Sequence, residues 1–334
     1  MCCRLTYRWK RHVIYGCVKG TKKMSKTEKP RHTFGPVPSR RLGRSLGVDL
    51  VPFKTCTYDC IYCQLGRTTN KTTDMQEFFP VEEIIREVSE RVKEIPPPDY
   101  ITLSGSGEPT LYSRLGAVIR GIKQETDIPV AVLTNGSLFW IDAVRADVQE
   151  ADLLIPSLDA GDEQIFQYVN RPHPDISFER MVEGLCALRE QFHGSIWLEV
   201  FLIGGVTDSK SEITKLKTWS DRIAPDLVQL NTAVRTPAED YVDMVGKEKM
   251  EKMRALFGTN CEVIADYSNV HSLGEFHHTQ EDVFELLKHR PCSVDDISSG
   301  LNLHRNETVK YVQELLDKRL IRMEKRDDKV LYFI

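Results

Sequence analysis

The chain has 334 residues, 41% hydrophobic and 28% charged, with 20 Gly and 16 Pro, which excludes collagen-like, low-complexity and wholly disordered classes. At about 150 residues per domain the length suits one large domain and a smaller partner. A net charge of −4 exerts no overall pull toward nucleic acid or anionic lipid, and no run approaches the roughly 18 apolar residues of a membrane span.

Residues 1–30 carry nine Lys or Arg against one acid, Glu28. Residues 1–33 are read as a basic, disordered tail or a mis-assigned start with Met24 opening the working chain; a basic arm for RNA or a partner is the alternative. The segment lacks the apolar core and cleavage site of a secretory signal, so a cytoplasmic location is expected. Nine cysteines, an odd number, argue against a disulfide framework and for a reducing compartment. Cys2, Cys3 and Cys17 match no ligand spacing, although a second metal there stays open.

Residues 34–264 alternate β-rich runs with amphipathic stretches, the pattern of βαβ units around a parallel sheet. Six strands are predicted at 45–52, 99–105, 129–135, 151–158, 195–203 and 225–231, with a short further strand opening at Cys261. Helices are predicted from Val81, whose stripe is Val81, Ile84, Ile85, Val88 and Val92, and over 111–124, 140–149, 177–192 and 209–222. Six βα units predict an α/β fold, a partial (β/α)6 TIM-like barrel with functional residues at the carboxyl ends of its strands. Cys186 and Cys261 are expected as core thiols.

Residues 265–280 are polar and unpatterned and are read as a linker. Residues 281–334 give a helix, a short helix, a longer helix over 304–320 and a β-hairpin-like end, a winged-helix pattern. Gly300 and Asn302 are placed in its turn, and Val309, Val312, Leu315 and Leu316 in the buried stripe of its third helix. Ten basic against eleven acidic residues over 279–334 make a weak nucleic-acid face, with Arg305, Asn306 and Lys310 as the phosphate candidates. An RNA or protein partner is placed at this module.

The chemistry concentrates in "TCTYDCIYCQ", where Cys56, Cys60 and Cys63 follow the first predicted strand in Cys-x3-Cys-x2-Cys spacing. Thiolates are soft ligands for iron–sulfur clusters or zinc, and both site types ordinarily take four protein ligands. No fourth Cys stands near, so one iron of a cluster would stay open to a small molecule that accepts an electron. An adventitious zinc or redox site is the bland alternative.

This loop, with Tyr62 before its last Cys, resembles that of the radical S-adenosylmethionine (SAM) superfamily, and the resemblance extends over about residues 34–264. "SGSGEPT" at the end of the second strand looks like the superfamily's Gly-Gly-Glu motif, with Ser106, Gly107 and Glu108; the glycine lets backbone approach the ligand, and backbone and Glu engage the methionine amine. By the same resemblance Ser157, Thr134, Asn135 and Asp159 serve the SAM ribose and carboxylate, and residues 197–209 with Gln229 or Asn231 form the adenine wall. Their structural alternatives are a cap at Glu108 and strand-end turns at Asn135, Ser157 and Asp159. Arg171, among prolines, meets the SAM carboxylate, a substrate anion or solvent. His277 and His278 are expected at the surface.

The lead-in "FGPVPSRRLGRSLGVDLVP" resembles the superfamily branch of wyosine-type tRNA modification. Its Arg40, Arg41 and Arg44 suit an anion or acid pairs at the barrel edge. The implied cofactors are one 4Fe-4S cluster and SAM, cleaved by one electron from a flavodoxin- or ferredoxin-like donor to a 5′-deoxyadenosyl radical that takes hydrogen from an unidentified substrate. Two rival readings remain: an iron–sulfur redox or iron sensor binding DNA through the winged helix, and a zinc-stabilised scaffold.

Overall fold

The alternating pattern folds as one mostly parallel sheet flanked by helices in a computed structural model describing residues 32–39, 41–234, 237–265, 280–301, 308, 311–312, 315–316, 318–326 and 329–334. The chain opens with β1 (Thr33–Ser39) and β2 (Gly43–Val48), then the short β3 (Thr55–Cys56) and β4 (Asn70–Lys71). There follow α1 (Val81–Glu94), β5 (Tyr100–Leu103), α2 (Leu115–Glu125), β6 (Val130–Thr134), α3 (Asp142–Asp147), β7 (Leu153–Pro156), α4 (Glu163–Val169) and α5 (Phe178–Gln191). β8 (Ser195–Gly204), α6 (Lys210–Ile223), β9 (Leu227–Thr232), β10 (Asp243–Met244), α7 (Lys247–Phe257) and β11 (Cys261–Val263) complete the barrel region.

The sheet order is β1-β2-β5-β6-β7-β8-β9-β11, with β10 added antiparallel to β8. From β2 to β11 all neighbours are parallel, and the two ends of the path do not pair with each other among the described residues. This is an open, partial-barrel arrangement. The six predicted strands are present within shifted bounds, and Cys261–Val263 is a seventh parallel strand. β1, antiparallel to β2, is a strand outside the six predicted ones. Its Pro36 and Pro38 mask a strand in the sequence, but an edge strand tolerates residues that cannot donate to a ladder.

Burial follows the predicted periods. α1 buries Val81, Ile84 and Val88, with Ile85 and Val92 packed against the same core. Ser177 and Ser209 cap α5 and α6 by accepting from the amides of Arg180 and Glu212. α4 and α7 were outside the predicted elements: α4 has only seven residues, and α7 buries just Met250 and Met253, so neither presents a wide apolar stripe. Cys261 is buried and Cys186 packs partly against the core. Among the described residues no helix is long and apolar enough to cross a membrane.

The C-terminal module contains α8 (Gln280–His289), α9 (Val294–Leu301) and an antiparallel hairpin of β12 (Arg322–Arg326) and β13 (Lys329–Phe333). Val283, Leu286, Leu287, Ile297, Val312 and Leu315 belong to its own core. Gly300 lies inside α9 rather than in the expected turn. Asn302, Val309, most of the third predicted helix, linker residues 266–279 and the 1–31 tail lie outside the described residues. The module and the barrel belong to one body, His32–Ile334, and Arg91 of α1 joins Asp282 of α8 at 2.9 Å.

Candidate active site

The three-cysteine loop leaves the sheet through Lys54, whose positive φ of 59° turns the chain, and its amide donates to the Ser106 carbonyl at 2.7 Å. One residue on, the Glu108 amide donates to the Thr55 carbonyl at 3.1 Å. A Cβ at Gly107 would overlap that same carbonyl, so only glycine lets the 104–110 loop lie on the cysteine loop. The close approach expected between Gly107 and a ligand is thus also made to the chain's own backbone.

Cys56, Cys60 and Cys63 line one cavity of about 440 Å³ together with Tyr62, Ser106, Gly107, Glu108, Thr134, Asn135 and Ser157. Asn135 Nδ2 faces Cys56 Sγ at 3.6 Å and Asn170 Nδ2 faces Cys60 Sγ at 3.4 Å, while the Leu65 amide serves Cys63. Burial pushes the Cys56 thiol up to about 12 and raises Cys60 and Cys63 as well, so binding metal must displace their protons. Among the described residues no three His, Cys, Asp or Glu side chains converge on a single metal ion. Three half-buried thiols in one loop, each with an N–H donor, fit the corners of an iron–sulfur cluster, whose sulfurs are tuned by such bonds.

Glu108 is buried and joins two strand ends. Its Oε1 accepts from the Thr110 amide (3.0 Å), Thr110 Oγ1 (2.6 Å) and Thr134 Oγ1 (2.6 Å), and Oε2 from the Asn135 amide (2.7 Å). Burial raises its carboxyl above the ordinary value, and these bonds oppose the rise. Glu108 is therefore a cap, as its structural alternative proposed, while still lining the cavity. Ser157 continues β7, its amide bonded to the Thr134 carbonyl at 3.1 Å.

Asp159 and Arg171 do not line the cavity. Asp159 accepts from Tyr62 Oη, Asn170 Nδ2 (2.7 Å) and the Phe201 amide (3.4 Å), behind a Tyr62 ring stacked on Phe201 at 3.9 Å between centroids. Arg171 pairs with Glu239 at 2.6 Å and donates to Tyr241 Oη at 2.9 Å. Gln229 donates to Glu262 at 2.7 Å, also away from the cavity, whereas Asn231 lines it and donates to Glu199 at 2.6 Å. Arg41 completes that group with Glu199 at 2.5 Å, Arg44 faces Asp99 at 3.4 Å, and Arg40 lies outside the described residues.

Burial pushes Asp159 up to about 6, against the bonds from Tyr62 and Asn170. The folded value exceeds the unfolded one, so the folded state holds this proton more tightly. Its contribution is then complete below about pH 4 and is lost as pH rises through 6, by about 2–3 kcal/mol. Urea denaturation between pH 4 and pH 7 is expected to show a shallower loss of stability with rising pH in Asp159→Asn than in the parent chain.

Glu199 and Phe201, from the 197–209 segment expected at the adenine wall, line the cavity, whereas Asp49, Lys54, Asn170, His289 and Arg290 line or support it and were absent from the sequence reading. Asp49, directly after β2, was accessible to the rule that functional residues gather at strand ends. Nothing local marks His289 or Arg290, which reach the cavity from a separate module.

The radical SAM superfamily pattern matches residues 50–216, and the chain belongs to that superfamily. Membership makes it an enzyme whose cofactors are a 4Fe-4S cluster and SAM. The chain is 34% identical over 310 residues to a UPF0026 protein of Methanocaldococcus jannaschii, covering 90% of this chain and 94% of that one. It is 41% identical over 299 residues to a Brachyspira hyodysenteriae protein named GTPase Obg, covering 89% of this chain but spanning only 44% of that relative. A solved radical SAM methyltransferase from Sphaerobacter thermophilus shares the fold, with a TM-score of 0.53, 19% identity and coverage of 66% of this chain and 65% of that one.

Proposed function

We propose that Cys56, Cys60 and Cys63 hold the 4Fe-4S cluster, and that the adjoining cavity binds SAM and a substrate from which hydrogen is abstracted. The observation that carries this reading is the meeting of the cysteine loop and the 104–110 loop at one cavity, fixed by the Glu108 amide on the Thr55 carbonyl at 3.1 Å. When bound, the two groups supply one-electron reductive cleavage of a sulfonium, with the electron from a flavodoxin- or ferredoxin-like donor.

The chain's residues orient and shield. Asn135 and Asn170 donate toward the ligating sulfurs. Glu108 Oε1 is filled by three donors, but among the described residues Oε2 accepts only one and retains capacity for an ammonium such as the methionine amine. Thr134, Asn135 and Ser157 offer polar groups to the ribose and carboxylate, and Tyr62, fixed by Phe201 and Asp159, offers a rigid aromatic wall. Asp159 supports Tyr62 and Asn170 from behind, and the Arg171 carbonyl accepts from the Asp59 amide of the cysteine loop at 3.3 Å.

DNA binding by a sensor requires a nucleic-acid face on the C-terminal module, and its candidates Arg305, Asn306 and Lys310 lie outside the described residues. The module's described residues instead contribute to the cavity wall, which supports the enzymatic reading. Anaerobically reconstituted protein reduced with dithionite is expected to release 5′-deoxyadenosine and methionine in equal amounts. A complete cluster with no SAM binding would overturn the reading.

A further inference from the structure

The barrel alone does not build this cavity. α8 ends against it, so that Leu286, His289 and the following Arg290 line it, together with Gly300 of α9. His289 Nδ1 lies 3.4 Å from Asp49 Oδ2 and 3.5 Å from Ser106 Oγ, and Ser106 Oγ itself donates to Asp49. The imidazole packs on Phe34 of β1, 4.5 Å between ring centroids. The carboxylate on Nδ1 fixes the ring, while Nε2 is buried with no hydrogen-bond partner among the described residues. Buried polar atoms are nearly always bonded in native folds, so an orphan on a cavity wall points to a ligand.

Two cations border the loop that follows Cys63. Arg290 Nη1 donates to Gln64 Oε1 at 3.3 Å, and a Cβ added at Gly66 would meet Lys54 Nζ at 3.1 Å. Neither cation has an acidic partner among the described residues, whereas the lining acids are engaged, Glu199 by Arg41 and Glu108 by its threonines and Asn135. The cavity therefore presents unbalanced positive charge where the module meets the cysteine loop. A guanidinium and an ammonium around an imidazole are a receptor for phosphate or carboxylate.

We propose that the C-terminal module is the substrate-facing wall of the radical SAM cavity, and that Arg290 and Lys54 bind an oxyanion carried by the substrate, with His289 Nε2 accepting from a hydroxyl beside it. This rests on the enzymatic reading above and names the substrate class it takes, an anionic molecule or group. The same chemistry could be met by the carboxylate of SAM, and competition separates the two sources.

The test is isothermal titration of pyrophosphate into the full, reconstituted chain, with and without saturating SAM. Saturable binding that persists with SAM is expected, weakened at least about tenfold in Arg290→Met and in Lys54→Met, as loss of a charged hydrogen-bond donor implies. His289→Asn is expected to weaken it less, and Arg290→Lys to restore part of it. Iron and sulfide content of each variant reports an intact fold. Absent binding in the parent chain, equal binding in the variants, or displacement by SAM would overturn the substrate-anion site. Pyrophosphate binding at these residues in a chain that releases no 5′-deoxyadenosine would leave the anion site standing and overturn the enzymatic reading instead.

Discussion

Replacing Cys56, Cys60 or Cys63 singly by alanine is expected to bring 5′-deoxyadenosine release from the reduced, reconstituted enzyme down to background, with loss of the cluster's visible absorbance. The three thiols stand in one loop, line one cavity and each face an N–H donor. A cluster held by only three protein ligands has no spare thiolate to take over a missing corner. Were these cysteines merely packing residues, alanine would remove one small buried group each, costing stability while leaving metal content unchanged. Iron and sulfide analysis beside far-ultraviolet circular dichroism separates the two cases: a folded alanine variant that keeps its cluster and still cleaves SAM would sink the assignment.

The second large effect is expected at Glu108. Glu108→Ala strips an acceptor from the Thr110 and Asn135 amides and from two threonine hydroxyls in a buried position. The hydroxyls can rotate toward other partners, but the two amides are fixed, and each unsatisfied buried donor costs about 1–3 kcal/mol. A loss of about 2–6 kcal/mol follows, a large share of the roughly 5–15 kcal/mol that holds a typical domain folded. SAM affinity should fall with it, because the same carboxylate positions Thr134 and Asn135 on the cavity wall. Glu108→Gln keeps one acceptor but sets an amide donor against one of the N–H groups, and should retain more stability than alanine while still weakening SAM. Urea denaturation and SAM titration of both variants check this; unchanged SAM affinity in both would confine Glu108 to a structural role.

Much of the site was legible because its determinants are local. Three cysteines within eight residues need no tertiary information to be read as a candidate ligand set, and the Ser106-Gly107-Glu108 run closely follows its strand. Thr134, Asn135 and Ser157 came from the superfamily resemblance, which follows the rule that parallel α/β folds place ligands at strand carboxyl ends. The same rule drew in Asp159, which lies two residues past Ser157 but faces the opposite side, toward Tyr62 and Asn170. Alternation along an extended segment reverses direction at each residue, and a sequence does not say where a strand-end turn breaks that alternation. Arg171 was drawn in by its charge among prolines, while its Glu239 partner lies 68 residues away.

The fold divides along the same line. Hydrophobic period fixed the parallel strands and the buried faces of α1, α5 and α6, because each such element buries a stripe its own residues define. β1 was hidden by prolines that only an edge position tolerates. Gly300 read as a turn residue because glycine favours turns, yet the packing of α9 keeps it helical.

By itself, then, the sequence determined the cysteine triad, the α/β class and the strand-end location of the polar groups, all of which depend on spacings of a few residues. Only the tertiary structure decided that the Glu108 carboxylate ties two strands together and that Asp159 stands behind Tyr62. It alone brought His289 and Arg290 into a cavity lined by residues more than 220 positions earlier. Local spacing is written in bonds along the chain, whereas a contact between distant segments exists only once burial of two apolar faces has brought them together.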